Sequence, residues 1–109
     1  MELKELLDKT GFKVKENRFL NSPPLPYIVF FDDQIHRGAD DGPTKIVDHN
    51  ITVQMYVKSI EDKQDLLKVE TVLDSMNVDY ERTIEWMDEE SHFKCEYVFE
   101  CTEKKKRSV

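Results

Sequence analysis

Ile51-Thr52-Val53-Gln54-Met55-Tyr56-Val57 alternates without a fault. Ile51, Val53, Met55 and Val57 fall on one side of an extended backbone, while Asn50, Thr52, Gln54 and Tyr56 fall on the other. A period of two with one apolar set is the mark of a strand buried on a single face, and the segment from Thr44 to Lys58 is read as that strand. Upstream stands Pro24-Leu25-Pro26-Tyr27-Ile28-Val29-Phe30-Phe31, in which Pro23, Pro24 and Pro26 favour extended geometry ahead of an apolar run. Asp32-Asp33 ends that run, and the residues from Asp33 to Pro43, with Gly38, Asp40, Asp41 and Gly42, carry no apolar periodicity and are expected to form a solvent-projecting loop.

Downstream, Leu66, Val69, Val72, Leu73 and Met76 recur at helical spacing, so a helix is expected from about Glu61 to Met76, with Ser59 as its cap and Asp62 near its positive end. Beyond Asn77, Val78, Tyr80, Ile84 and Trp86 share one parity, which Arg82 interrupts. Such an arginine must snorkel or meet water. Phe93, Cys95, Tyr97, Phe99 and Cys101 occupy one face of the last strand, opposite His92, Lys94, Glu96 and Glu100 with Val98 as the apolar exception. The polar stretch Met87 to Ser91 fits a hairpin connection. At the other end, Leu3, Leu6 and Leu7 give a short helix closed near Gly11, and Phe12 to Leu20 reads as a loose connection with room for a short strand.

The order α-β-β-α-β-β implies an α+β domain: a single, mainly antiparallel sheet of about four strands with two helices packed on one face. The domain is placed at residues 1–103, and Lys104-Lys105-Lys106-Arg107 opens a basic, flexible tail over 104–109. With 109 residues, 39% of them hydrophobic and 36% charged, the chain supports one thin core under a densely charged surface. A formal net charge of −7 argues against non-specific binding to a nucleic-acid backbone. Cys95 and Cys101 share a strand face too far apart to bond, so both are expected as buried thiols and not as a disulfide, which suits a reducing compartment. The sequence has neither an apolar stretch of membrane-spanning length nor a signal-peptide pattern, and a soluble chain without membrane contact is expected.

Catalytic patterns are thin. His36, His49 and His92 lack the paired spacing of a metal-binding helix and read as surface histidines. Cys95 lies three positions from His92, which on a strand sets a would-be nucleophile and base on opposite faces. Asp40-Asp41-Gly42 lacks the alternating oxygen ligands and closing glutamate of a calcium loop. Phosphate-cradling glycine motifs, serine elbows and metalloprotease helices do not occur. No catalytic residue, metal or cofactor is therefore assigned, and the chain is not expected to be an enzyme. The strand aromatics are expected in the core, except for Tyr56 and Trp86, which read as outward-facing interface residues.

Met1-Glu2-Leu3-Lys4-Glu5-Leu6-Leu7 with Thr10-Gly11, Pro24-Leu25-Pro26-Tyr27-Ile28-Val29, Gly38-Ala39-Asp40, Ile51-Thr52-Val53-Gln54-Met55-Tyr56, Val72-Leu73-Asp74 and Tyr80-Glu81-Arg82-Thr83 with Glu85-Trp86 follow one another in a small acidic chain. In this the sequence resembles small virion proteins of tailed phages and prophages of Gram-positive bacteria, of the tail-completion type. The resemblance implies a tail terminator or head-to-tail joining protein that forms a homo-oligomeric ring. Such a ring caps the tail tube, contacts the head connector and lets DNA pass. It further implies a place in the virion, preceded by the host cytoplasm. On that analogy the contact residues are His36, Arg37, Asp40 and Asp41 in the first loop, Asp88 and Glu89 at the hairpin tip, and Tyr56 and Trp86. Two other readings stand beside it: a phage-encoded module that binds a host protein through an exposed sheet edge, and a small hydrolase using the acidic loops.

Overall fold

The computed structural model describes residues 3–38, 44–60 and 63–106. Along the chain run α1 (Leu3–Asp8), β1 (Lys13–Glu16), β2 (Tyr27–Gly38), β3 (Thr44–Val57), α2 (Gln64–Ser75), β4 (Tyr80–Met87) and β5 (His92–Lys106). The strands form one sheet in the order β1-β2-β3-β5-β4. Every pairing is antiparallel except β1 with β2, which is parallel. The domain is thus α+β, with five strands in a mixed sheet where about four, mainly antiparallel, were expected.

The inward residues of the central strands meet the helices as the alternation demands. Ile51, Val53 and Met55 on β3 and Cys95, Tyr97 and Phe99 on β5 are buried with Ile28 and Phe30 of β2. Leu3 and Leu7 of α1 and Leu66, Val69, Val72 and Leu73 of α2 complete the same cluster, so both helices lie on one face. Gly11 has φ of +87°, a left-handed turn open to glycine at little cost, where the chain leaves α1 for β1.

Several expectations need correcting. The fifth strand is β1, whose only buried residue is Val14; four residues with a single apolar member carry no readable period. The loop expected from Asp33 to Pro43 is strand as far as Gly38, paired rung by rung with Lys45–Asn50. Lys104, Lys105 and Lys106, expected in a flexible tail, pair with Ile46, Lys45 and Thr44. In both cases the main chain, not apolar burial, supplies the partners, so side-chain alternation is absent while the ladder continues. The outcome is a three-stranded arm, 33–38, 44–50 and 100–106, in a molecule of 53 × 29 × 22 Å.

Helix α2 begins at Gln64, with Lys63 in the N-cap position making no side-chain cap bond. The acidic start expected at Glu61 and Asp62 lies outside the described residues. Its other end closes on Asn77, at φ 58°, whose N–H donates to the Asp74 carbonyl at 3.0 Å.

Candidate interaction surfaces

The sheet has two margins, β1 and β4, and among the described residues each is paired on one side only. At one margin, β4 is exposed along most of its length. Its helix-side residues Arg82, Ile84 and Trp86 lie in register with Tyr97, Cys95 and Phe93, yet Ile84 is 38% and Trp86 46% exposed. Leu67 of α2, 57% exposed, stands with them: Ile60, Leu66, Leu67 and Ile84 line a shallow cavity of about 140 Å³ closed by Glu70 and Arg82. The Trp86 ring meets Phe93 edge to face at 4.8 Å, and its Nε1 donates to Asp88 Oδ1 in the following turn. Trp86 is therefore an exposed residue as expected, but on the helix side of the sheet and not on the open face.

Arg82, the break in the apolar parity, is resolved by Glu70 of α2. Its Nη1 donates to Glu70 Oε2 at 3.1 Å, and the same carboxylate oxygen accepts from the buried Tyr97 hydroxyl at 2.9 Å. Burial, and then the Glu70 carboxylate, push the Tyr97 hydroxyl well above the usual phenol range. The hydrogen bond to Glu70 raises the Arg82 guanidinium further.

The open face is less polar than its sequence suggested. Tyr27 and Tyr56 sit opposite one another on β2 and β3 and stack at 4.9 Å. Phe19, from the connection after β1, abuts Tyr27 edge-on at 5.5 Å, and His92 abuts Tyr56 at 5.3 Å. The four rings form a row across the sheet. Tyr56 is half-buried in it and donates to Gln54 Oε1 at 2.9 Å, and His92 is buried, only 9% exposed, where a surface histidine was expected.

His49 departs further from that expectation. It is 4% exposed on the inward face of β3, with Nδ1 2.9 Å from Asp32 Oδ1 and Nε2 3.3 Å from Glu103 Oε1. Gln34 Nε2 donates to the other Asp32 oxygen at 2.9 Å, and His36 Nε2 meets Gln34 Oε1 at 2.9 Å. The network ties β2, β3 and β5 together at the root of the arm. Its sequence signal was weak, because the three members are 17 and 54 residues apart and only the register brings them to one face. Cys101, half-buried on that face, has its thiol raised first by burial and then by Asp32 and Glu103.

On the opposite face of the arm, Arg37 Nε donates to Asp48 Oδ2 at 2.7 Å, and Thr102 Oγ1 donates to Asp48 Oδ1 at 2.9 Å. These bonds hold the Asp48 carboxyl below the usual range. Of the expected contact residues, His36 and Arg37 lie on β2 in the arm, Asp88 and Glu89 on the β4–β5 turn beside Trp86, and Tyr56 in the aromatic row. They form no single patch. Asp40 and Asp41 lie outside the described residues. Among the described residues, no group of three or more His, Cys, Asp or Glu side chains is arranged to hold a metal ion, and no helix is long and apolar enough to cross a membrane. Cys95 and Cys101 are not joined by a disulfide.

No protein-family model matches the sequence, and no curated protein matches it either. The fold does recur among solved structures. A chain described as "Virion of native gene transfer agent (GTA) particle" superposes with a TM-score of 0.63 over 92% of this chain and 84% of that one, at 10% sequence identity. At that identity the likeness is one of fold.

Proposed function

We propose that this chain is a structural virion component of a tailed, phage-like particle, acting at the neck or tail end. In this reading it forms a homo-oligomeric ring that caps the tail tube and joins it to the head connector. The observation carrying the proposal is the fold it shares, over nearly its whole length, with a chain of a gene transfer agent virion particle. The two sheet margins and the β4 apolar patch support it, since unpaired strand edges beside exposed Ile84 and Trp86 suit strand addition by another subunit. Self and the neighbouring tail-tube and connector proteins are the partners it calls for, with the virion as the site of action and DNA as a passing occupant of the channel. Catalysis has no part in the proposal.

Native mass spectrometry of the full chain, alone and with the tail-tube protein, tests it together with proteomics of purified particles. A discrete closed oligomer in either mixture, and the chain recovered from particles, is the expected result. A monomer in both mixtures and absence from particles would overturn it. The exposed β4 edge also favours a second reading, a module that takes a host protein along that edge; specific retention of one host protein through β4, with absence from particles, would select it.

A further inference from the structure

The two margins of the sheet carry opposite charge. The segment from Lys9 to Arg18, which holds β1, carries Lys9, Lys13, Lys15 and Arg18 against one acid, Glu16, the preceding Asp8 being paired with Lys4. The segment from Asp79 to Glu90, which holds β4, carries Asp79, Glu81, Glu85, Asp88, Glu89 and Glu90 against one base, Arg82, with Lys94 of β5 paired to Glu85. Apart from Lys94, all of these side chains are exposed. Their faces also agree. Lys13 and Lys15 pair with Tyr27 and Val29, Tyr27 with Tyr56, Tyr56 with Lys94, and Lys94 with Glu85, so Lys13, Lys15, Glu81, Thr83 and Glu85 all project from the open face.

We infer that subunits join head to tail, the β1 margin of one copy lying against the β4 margin of the next, so that the sheet runs on from subunit to subunit. This rests on the ring reading and specifies its contact. When two sheets join edge to edge, residues on one face become cross-strand neighbours, which brings Lys13 and Lys15 against the open-face row Glu81, Thr83 and Glu85 of the adjoining copy, each lysine opposite or diagonal to an acid. The symmetric alternatives are penalised by the same charges. Two β4 margins in contact would set acid against acid, and two β1 margins lysine against lysine. A contact between two different patches of one chain closes into a ring or runs on as a filament, whereas a two-fold contact stops at a dimer. Since β1 is only four residues long, the shared ladder is short, and electrostatics carries a large part of the preference.

The test exchanges charge at exposed positions, leaving Glu85 intact because it pairs with Lys94 of its own chain at 3.5 Å. Association of four full-length proteins is followed by native mass spectrometry and by light scattering at low and high salt: wild type, K13E/K15E, E81K/T83K, and the chain with all four changes. Circular dichroism confirms the fold of each. Either pair alone should weaken association by about tenfold or more. The fourfold variant should recover most of the loss, and the two pair variants mixed in equal amounts should co-assemble where neither does alone. Self-assembly of K13E/K15E at wild-type strength, or failure of both the fourfold variant and the mixture to assemble while folded, would overturn the inference and leave the ring reading standing. A wild-type chain that stays monomeric alone and with the tail-tube protein would remove both.

Discussion

Replacing Glu70 by leucine removes the carboxylate on which two groups converge: the Tyr97 hydroxyl at 2.9 Å and the Arg82 guanidinium at 3.1 Å. Tyr97 is fully buried, so its hydroxyl loses its partner with no water to replace it, a cost of about 1–3 kcal/mol. The Arg82 side chain is 46% exposed and rehydrates, which adds only about 0–1 kcal/mol. Glu70→Leu should therefore cost about 2–3 kcal/mol, roughly 10 °C or more in melting temperature for a domain of this size. Tyr97→Phe deletes the donor and leaves Glu70 paired with Arg82, so it should cost about 1–2 kcal/mol. With both groups gone no orphan remains, and the double variant should be more stable than the two losses added together imply, by about 1 kcal/mol or more. Urea denaturation followed by circular dichroism, at a concentration where the chain is monomeric, measures all three. A Glu70→Leu loss below about 0.5 kcal/mol, or strict additivity in the double variant, would refute the premise that this carboxylate anchors α2 to the sheet.

Other outcomes follow from the same geometry. Tyr97, Cys95 and Cys101 are held protonated chiefly by burial, with folded values above the ordinary 10.0 for the phenol and 9.0 for the thiols. The unfolded chain therefore releases protons first, and stability should be complete below pH 9.0 and fall as pH rises beyond it; a urea midpoint unchanged between pH 8 and pH 11 would contradict this, and Tyr97→Phe should lessen the fall. His49→Leu leaves Asp32 and Glu103 facing an apolar group and should cost about 2 kcal/mol, below the full penalty of a broken buried pair because Glu103 reaches water. The loss should appear by hydrogen exchange as faster opening of Asp33–Gly38, and undiminished protection there would count against an arm tied at its root. Gly11→Ala meets no atom within 4 Å but must adopt φ +87°, so a loss of about 1 kcal/mol in urea denaturation is expected, and none would argue against a left-handed residue at that turn.

The core could be read from the chain because burial writes its own period. Ile51 to Val57 and Phe93 to Cys101 announced two strands, and Leu66 to Leu73 a helix, through side chains that must meet the same apolar layer. The arm wrote no such pattern. Asp33 to Gly38 is largely exposed, so only main-chain pairing with Lys45–Asn50 defines it, and that pairing depends on a partner seven to seventeen residues away. The same blindness hid β1 and carried the expected tail into β5. Arg82 showed as a fault in the alternation, but the acid answering it lies on another element, where strand parity gives no hint. His49 was the largest miss. Nothing local distinguishes a histidine open to water from one clasped by Asp32 and Glu103, since the difference is made by register.

Trp86 is the single tryptophan of the chain, and it lies half-exposed on β4, at the acidic rim of the sheet. Its indole is quenched or freed by what happens there, with little interference from the interior. Intrinsic fluorescence excited at the red edge of the absorption band thus reports docking in an unlabelled protein. An emission shift toward the blue on raising concentration would time the arrival of a neighbour, independently of any mass measurement.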